Sequence, residues 1–388
     1  MKSTASLCSY SWNAPRQAGT WFQTQTRRYA STSTSTSTSA SSAPTASQKN
    51  RWLGIVIVTG LAAGAGAYIR SQGPGSVTLN PECFTKYSLV SREPVSATSS
   101  LFTFRPRYAS GDNYEVYEDA WRTGVWSVMF KQPQLQIGRD YTPLPATAAT
   151  SLTVDEENEG YLRFFIRKDP FGEVSRYLHG LHVGADVEMR GPKIECMIPE
   201  STQEILFIAG GTGIAPALQA VYSLLNRTTS DNRPRIHILW AVRRNEDCFG
   251  GESDTPKVLE SRRSWTSWLG FSGGAQEQNK TVSPDVHSKS LIVKELEALK
   301  SQHPGQITVD YYLDEENRFI GKKDVSHFIE SSRPGDSRYK KLIMVSGPEG
   351  FISYMAGPKL WAQGKELQGP LLGIIEELDL QDWAVWKL

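Results

Sequence analysis

An apolar run that breaks into three glycines constrains the fold of this chain more than any other feature. Residues 205–209 are apolar, as in a buried strand, and they lead into Gly210, Gly211 and Gly213. A helix-like run over residues 217–225 follows. A strand, a glycine turn and a helix start together present backbone N–H groups that suit a pyrophosphate. The segment predicts a nucleotide-binding unit, although it lacks the third glycine of the G-x-G-x-x-G fingerprint.

A second candidate segment, Arg139-Asp140-Tyr141-Thr142-Pro143, lies earlier in the chain. In an extended backbone the side chains of Arg139 and Tyr141 point to the same face. The guanidinium suits a phosphate because it is always charged and binds in a bidentate fork. Tyr141 can stack on a flat ring, and Thr142 can donate to a ring heteroatom. Taken alone, the segment also fits a strand end with an ordinary surface arginine and a turn at Pro143.

Four motifs occur in one order along residues 83–388, and a fifth is present in incomplete form. The motifs are residues 139–143, residues 172–178, Arg190-Gly191-Pro192, residues 210–216, and the incomplete Ser346-Gly347-Pro348. With this combination the chain resembles the ferredoxin-reductase-type flavoproteins, and within them the NADH–cytochrome b5 reductase group. The ordered set is more specific than any single motif.

The resemblance implies a β plus α/β fold, in which an antiparallel FAD-binding barrel precedes a parallel-sheet nucleotide-binding domain. Residues 80–196 are predicted to form the barrel, because short runs at 126–130 and 162–166 alternate in polarity as antiparallel strands do.

Residues 200–388 are predicted to form the NAD(P)H-binding domain, because strand and helix patterns alternate as a parallel sheet requires. Its predicted strands are residues 205–209, 236–240, 307–312 and 341–345. Residues 250–285 exceed the usual loop length, so they are predicted to be an insertion in this domain.

On the flavin side, the resemblance implies that Arg139 holds the FAD pyrophosphate and that Tyr141 lies against the isoalloxazine. Thr142 would hydrogen-bond near the reactive flavin nitrogen. The phosphate nearer the adenosine would be bound by backbone amides and one hydroxyl, those of Gly172, Glu173, Val174 and Ser175. A helix start suits a phosphate because its N–H groups are unpaired and its dipole end is positive.

On the nicotinamide side, the resemblance implies that Thr212 sits where the nicotinamide of NADH or NADPH meets the flavin. Close approach of the nucleotide would be allowed by Gly210, Gly211, Gly213, Gly347 and Pro348. The catalytic residues implied are Thr142, Thr212 and Ser346. Their task would be positioning, since the cofactor itself carries the electron chemistry.

Two features of the nicotinamide side leave questions open. Ser346 stands where the family has a cysteine beside the nicotinamide, which predicts slower oxidation of the nucleotide. Asp247 follows the second predicted strand of this domain and suits a ribose hydroxyl. Arg243 or Arg244 equally suits a 2′-phosphate, so the choice between NADH and NADPH stays open.

The N-terminal residues carry a different pattern. Residues 1–81 contain neither Asp nor Glu. Residues 1–29 are predicted to be a mitochondrial presequence, because they are basic and acid-free and precede a Ser-rich run. Residues 30–51 are predicted to be a Ser/Thr-rich linker. A disordered tail that carries no targeting signal is the alternative, since Ser–Thr repeats cannot build a core.

Residues 52–69 are uncharged and are predicted to form a single transmembrane helix. At ~1.5 Å per residue such a helix spans about 27 Å, just enough for a bilayer core. More cations precede the span (Lys49 and Arg51) than follow it (Arg70), which favours the N-terminal side in the matrix. The module is therefore expected in the intermembrane space, anchored on the mitochondrial inner membrane. A buried helix of a soluble domain is the alternative.

Charge and cysteine content exclude several classes of protein. The formal net charge of +1 does not favour nucleic acid as a partner. Cys8 lies in the predicted presequence, and the spacing of Cys83, Cys196 and Cys248 suits neither an iron–sulfur cluster nor a zinc site. No metal site is expected, so electrons must leave the flavin for an external acceptor.

These patterns favour a membrane-anchored mitochondrial reductase that moves electrons from NAD(P)H through FAD to a one-electron acceptor. The order of presequence, span and reductase module resembles the fungal flavoproteins that assist cytochrome c import and haem attachment. That resemblance implies haem or a cytochrome-type acceptor, with a cytochrome c haem lyase as partner. Two alternatives stay open: a mitochondrial NADH–cytochrome b5 reductase, and a flavin-bearing assembly factor without catalytic turnover.

Overall fold

Two β-sheets with different strand directions dominate the computed structural model of the protein. It describes residues 78–108, 113–147, 160–226, 233–255, 289–332, 340–378, 380 and 382–388. The first sheet has seven antiparallel strands and the second has five parallel strands. The predicted sequence of an antiparallel sheet followed by a parallel sheet is confirmed.

The first sheet is built around large aromatic side chains. Its strands are β1 (Thr85–Pro94), β2 (Ser99–Pro106), β3 (Gly124–Gln132), β4 (Ile137–Tyr141), β5 (Pro143–Leu144), β6 (Leu162–Arg167) and β7 (Asp186–Met197). Their order across the sheet is β4-β3-β7-β1-β2-β6-β5. Burial of one cluster of rings stabilises the sheet: Phe102, Phe104, Trp126, Phe130 and Phe164. Both alternating runs of the sequence lie in strands, β3 and β6.

The first sheet rolls up where β4 and β5 meet. These strands are the two edges of the sheet, yet Thr142 alone separates them in the chain. One residue spans about 3.3 Å, whereas neighbouring strands lie about 4.8 Å apart, so a flat seven-stranded sheet would hold its edges far apart. The edges must therefore come together at Thr142, as in a barrel. Helix α1 (Asn113–Thr123) packs against β3 and β7, and helix α2 (Glu173–His179) packs against β3 and β4.

The second sheet has apolar strands covered on both faces. Its strands are β8 (Thr202–Gly210), β9 (Arg235–Val242), β10 (Ile307–Leu313), β11 (Lys340–Ser346) and β14 (Trp383–Lys387), in the order β10-β9-β8-β11-β14. The remaining elements are α3 (Ile214–Leu225), α4 (Leu291–Gln302), α5 (Lys322–Ser331), α6 (Glu349–Ala356), α7 (Gly373–Glu376) and the hairpin β12 (Leu360–Ala362) and β13 (Lys365–Leu367).

Alternate residues of β8 enter two separate cores. Phe207 packs with residues of α3 and α4, whereas Ile208 packs with residues of α5 and α6. Burial on both faces explains why residues 205–209 of β8 form a continuous apolar run. The four predicted strands lie within β8 to β11, but β14 was not predicted.

Strand β6 of the first sheet is buried on both faces, and one of its residues contacts helix α4. Five consecutive residues of β6 are buried, so its alternation of polarity does not separate a core face from a solvent face. Arg163 of β6 forms a buried ion pair with Glu295 of α4, and Thr147 also donates to Glu295. Arg163, a polar residue of β6, therefore connects the first sheet to a helix that packs on the second.

Several predictions fall on parts of the chain that the structure does not describe. The predicted presequence (1–29), linker (30–51) and transmembrane helix (52–69) lie outside the described residues, as do residues 256–285 of the predicted insertion. Within the described residues, no helix is both long and apolar enough to cross a bilayer. The domain limits 80–196 and 200–388 stay predictions.

Candidate functional site

Strand β4 carries Arg139 and Tyr141 along the edge where the first sheet closes. Arg139 pairs with Phe130 of β3, and Tyr141 pairs with Val128. The Tyr141 ring meets the Phe130 ring edge to face, with ring centroids 5.4 Å apart. Burial raises the pKa of the Tyr141 phenol, so its hydroxyl stays protonated at neutral pH. The strand thus presents a neutral aromatic ring close to a cation.

The Arg139 guanidinium is exposed and makes no ion pair with a described residue. Its Nη1 donates to the Gly138 carbonyl at 2.9 Å. The neighbouring Asp140, by contrast, forms an ion pair with Lys193 at 2.9 Å. Since a guanidinium has five N–H donors, Arg139 keeps most of them for an anionic ligand.

The second predicted flavin motif is a turn held by its own hydrogen bonds. The Asp169 N–H donates to Ser175 Oγ at 3.1 Å, and this hydroxyl donates to the Gly172 carbonyl at 3.2 Å. A Cβ at residue 172 would lie 2.6 Å from Ser175 Oγ, so the turn requires glycine there. The Ser175 hydroxyl, which was predicted to contact a phosphate, is therefore engaged inside the turn.

Helix α2 begins at this turn with an N-cap that has no side chain, Gly172. The backbone amides of Glu173 and Val174 are therefore available to a phosphate. Phe171, directly before the N-cap Gly172, is 89% exposed and was not predicted as a site residue. Because α2 packs against β4, the structure brings the two predicted flavin motifs together.

The turn after β8 is shaped by packing against the end of β11. Gly211 has a φ of +57°, a value that favours glycine. A Cβ at Gly213 would lie 2.5 Å from the Ser346 carbonyl oxygen, and one at Gly210 would lie 2.8 Å from the Phe351 ring. Gly211 is thus favoured by its backbone conformation, whereas Gly210 and Gly213 are favoured because a Cβ has no space there.

Parallel strand pairing places the late motif beside this turn. Ser346 of β11 pairs with Ala209 of β8, so both strands end together at the carboxyl edge of the sheet. A Cβ at Gly347, whose φ is +152°, would lie 3.1 Å from the Gly210 Cα. Ser346 is buried, whereas Pro348 is exposed. The turn after β8 and the end of β11, which are both predicted to contact the nicotinamide, therefore meet.

A cavity of about 470 Å³ opens at this carboxyl edge. It is lined by Arg167, Gly210, Gly211, Ala241, Val242, Arg243, Asp314, Phe319, Ile320, Pro348, Gly350, Phe351, Tyr354 and Met355. Open parallel sheets bind their ligands at this edge, and nucleotide sites combine apolar walls with a few charged groups. Thr212 and Ser346 are not among these lining residues. Thr212 directly follows Gly211, which lines the cavity, and Ser346 lies two residues before Pro348, which also lines it.

Asp247 does not have the surroundings of a ribose ligand. It is 1% exposed, and its carboxylate accepts from Ser96 Oγ at 2.7 Å. It also forms an ion pair with Arg167. Ser96 and Arg167 belong to the first sheet's part of the chain, so Asp247 links the two sheets. Arg243 lines the cavity and Asp247 is not among its lining residues, so the ribose contact of Asp247 stays a prediction.

Arg167 is a candidate that sequence reasoning missed. It ends β6, lines the cavity, and lies close enough to the glycine turn that a Cβ at Gly211 would be 3.6 Å from its Nη1. Its Nε is buried without a hydrogen-bond partner among the described residues. No pattern in the sequence around Arg167 predicts this role, because the glycine turn that it approaches belongs to the second sheet.

Sequence comparisons find relatives among FAD-binding proteins and NADH-cytochrome b5 reductases. No model of a protein family matches the chain. An FAD-binding protein of Schizosaccharomyces pombe is 32% identical over 351 residues, which cover 88% of this chain and all of that protein. NADH-cytochrome b5 reductase 2 of Meyerozyma guilliermondii is 27% identical over 254 residues, which cover 64% of this chain and 67% of that protein.

A third relative matches a shorter part of the chain. The cytochrome c mitochondrial import factor of Saccharomyces cerevisiae is 32% identical over 133 residues. The match covers 33% of this chain and 36% of the import factor, so the chain spans about a third of that relative.

Proposed function

This chain belongs to the FAD-binding oxidoreductases of the NADH–cytochrome b5 reductase type, and we propose that it passes electrons from NAD(P)H through FAD to haem iron. The observation that carries the proposal is the meeting of two glycine-containing segments at the rim of the cavity. Gly210 and Gly347 approach so closely that a Cβ at residue 347 would lie 3.1 Å from the Gly210 Cα. Glycine at both positions lets the two strand ends meet, and Gly210 and Gly211 line the cavity in which the proposal places the nucleotide.

Bound FAD supplies the chemistry, since a flavin accepts a hydride from a dihydronicotinamide and releases electrons singly. In the proposal Arg139 holds its pyrophosphate, Tyr141 lies against the isoalloxazine, and Thr142 donates to the reactive edge of the flavin. The amides of Glu173 and Val174 hold the phosphate nearer the adenosine. The exposure of Arg139 and the missing side chain at the α2 N-cap support these assignments.

The cavity residues hold the nicotinamide nucleotide in this proposal. Gly210, Gly211 and Gly347 let the nicotinamide approach, with Pro348 at the rim, while Thr212 and Ser346 flank the point where it meets the flavin. Gly213 allows the close packing that this arrangement needs. The charged groups Arg167, Arg243 and Asp314 line the same cavity and suit the polar half of the nucleotide.

The acceptor in this proposal is haem iron during cytochrome c maturation at the mitochondrial inner membrane. The relationship to the import factor supports it. So does the sequence of residues 1–69, in which the predicted presequence and linker, both free of Asp and Glu, precede the predicted transmembrane helix. The catalytic module would lie in the intermembrane space, with a cytochrome c haem lyase as its partner.

The second candidate function is reduction of cytochrome b5. It is supported by the match to NADH-cytochrome b5 reductase 2, which covers more of this chain than the match to the import factor does. The two functions share the FAD and NAD(P)H sites and differ only in the acceptor.

The test is anaerobic spectroscopy of the purified protein. FAD-loaded protein is mixed with NADH or NADPH, and the flavin absorbance is followed. The reduced protein is then mixed with ferric haem or with ferric cytochrome b5. We expect the flavin band to bleach and ferric haem to be reduced faster than cytochrome b5. Faster reduction of cytochrome b5 would favour the second function.

Two results of the same experiment would contradict the proposal outright. A protein that stays colourless after refolding with excess FAD has no flavin site. A protein that holds FAD but is reduced by neither nucleotide is a flavin-bearing assembly factor without turnover.

Protease protection tests the proposed location separately. A module in the intermembrane space should be digested in mitoplasts but not in intact mitochondria. Its survival in mitoplasts would place it in the matrix.

A further inference from the structure

Gln219 is a fully buried polar residue whose side-chain amide is bonded at both ends. It lies on α3, the helix that follows the glycine turn, and is 0% exposed. Its Oε1 accepts from the Trp126 N–H at 2.8 Å, and its Nε2 donates to the Pro143 carbonyl at 2.8 Å. Burying an amide is unfavourable unless its groups are hydrogen-bonded, so these two bonds hold the side chain in one orientation.

Both partners of Gln219 are backbone groups at the seam of the rolled sheet. The β3–β4 ladder ends where Val128 pairs with Tyr141. Continued by two residues, the same register would place Trp126 opposite Pro143. The chain leaves the ladder before that point, because Pro143 belongs to β5 and pairs with β6. Gln219 therefore bridges two residues that a continued ladder would have paired.

A glutamine amide can replace a peptide group in such a ladder. It offers one carbonyl acceptor and an N–H donor, as a peptide unit does. Pro143 has no N–H of its own, so a reciprocal ladder bond to Trp126 is not possible. Helix α3 packs against both β3 and β5. A side chain from the second sheet's part of the chain therefore makes one hydrogen bond to each of the two strands at the seam.

This bridge joins the two halves of the proposed electron path. Pro143 directly follows Tyr141 and Thr142, and Gln219 lies on the helix that begins after Gly213. We infer that Gln219 is a positioning residue that sets the distance between flavin and nicotinamide for hydride transfer. The inference rests on the proposed function. In that step a hydride leaves NAD(P)H with both electrons of its C–H bond and forms an N–H bond on the oxidised flavin, leaving NAD(P)⁺.

The test compares FAD-loaded wild-type protein with Gln219→Met, which keeps the side-chain length and removes both hydrogen bonds. The variant should keep its FAD, and its Trp126 amide should lose protection in hydrogen exchange. Flavin reduction at saturating NAD(P)H should slow about 10- to 100-fold, because small misplacements of reacting groups have large effects on rate. The NAD(P)H concentration that gives half the maximal rate should change less than about threefold.

Thr147→Val is the matched control. It removes another buried hydrogen bond between the two parts of the chain, from Thr147 to Glu295, without changing the shape of the side chain. Its flavin reduction rate should stay within about twofold of wild type, because Glu295 lies on α4 and not on the strand ends that Gln219 bridges.

Gln219→Glu adds a rescue by pH. An ionised carboxylate can accept from Trp126 but repels the Pro143 carbonyl, and burial raises the pKa of such a carboxyl group. The protonated acid again offers one donor and one acceptor. Flavin reduction should therefore be slow above the pKa of the introduced carboxyl and recover as the pH falls through it. Gln219→Met should show no such recovery.

Three outcomes would overturn the role of Gln219. The first is a flavin reduction rate of Gln219→Met equal to that of wild type. The second is loss of FAD from both Gln219 variants. The third is a flavin reduction rate of Gln219→Glu that depends on pH as the wild-type rate does. Loss of FAD would mean that the contact maintains the flavin site rather than the transfer distance. If neither NADH nor NADPH reduces the flavin of the wild-type protein, the proposed function is overturned as well. The absorbance trace of the wild-type protein is sufficient to recognise this result.

Discussion

The two glycine turns of the proposed site are stabilised in different ways. The flavin-side turn, residues 169–175, is held by hydrogen bonds among its own residues. The nicotinamide-side turn, Gly211–Gly213, is shaped by its close approach to the end of β11. The first is a local structure that a short segment can specify. The second depends on two segments that are distant in the chain, so its geometry forms only when the second sheet is folded.

The cations beside the two turns differ in the same way. Arg139 is exposed and makes no ion pair with a described residue, so it is expected to act on the ligand alone. Arg167 is paired with the buried Asp247, so it serves the contact between the sheets as well as the cavity. Removing Arg139 should therefore change binding, whereas removing Arg167 should first change stability.

Gly213→Ala should have the largest effect. The new Cβ would lie 2.5 Å from the Ser346 carbonyl oxygen, a backbone atom that cannot move without shifting β11. We expect the free energy of unfolding, measured with urea, to fall by about 3 kcal/mol. Gly350→Ala is the control, because nothing lies within 4 Å of a Cβ there. Equal stability of the two variants would show that the nicotinamide-side turn is not constrained by β11.

Arg139→Ala should weaken FAD binding by on the order of 2–3 kcal/mol, because a charge-assisted phosphate contact is lost. The FAD-free variant should unfold at the same urea concentration as wild type. Arg105→Ala removes another exposed arginine of the first sheet and should leave FAD affinity unchanged. Titration of the FAD-free proteins by fluorescence measures the difference. Unchanged FAD affinity in Arg139→Ala would remove this residue from the flavin site.

Ser346→Cys should raise the rate of flavin reduction by NAD(P)H up to about tenfold, a change of about 1.4 kcal/mol in the barrier. The resemblance to the reductase group places a sulfur beside the reacting carbon at this position. Ser346→Ala, which adds no sulfur, should give no gain. Stopped-flow traces in which wild type is already as fast as Ser346→Cys would mean that serine is an adequate substitute.

Ser175→Ala should have the smallest effect, and it separates two roles of one hydroxyl. The structure uses Ser175 Oγ to brace the turn, so the FAD-free protein should lose about 1 kcal/mol of stability. Thermal unfolding of the FAD-free protein measures this loss. If the stability is unchanged and FAD affinity falls instead, the hydroxyl is a phosphate ligand and the two turns differ less than the hydrogen bonds indicate.

Patterns within short segments were sufficient to predict much of the fold. Residues 205–209 are predicted to be a strand because a buried parallel strand is apolar, and residues 341–345 because strand and helix patterns alternate there. Both lie within observed strands, β8 and β11. The order of the two sheets also followed from motifs that each occupy only a few residues. β14 was not predicted: it is an edge strand in which only Lys387 is buried, so it has no buried apolar run.

Contacts between the two sheets could not be predicted in this way. Asp247 follows β9 as a ribose ligand would, but it is buried against Arg167 and Ser96, which lie 80 and 151 positions away in the chain. Gln219 read as one more residue of an apolar helix, yet its amide bridges the seam beside the flavin motif. Hydrophobic periodicity reports which face of an element is buried. The partner of a buried polar group depends instead on how whole sheets pack, because its hydrogen bonds are completed by backbone and side chains far away in sequence.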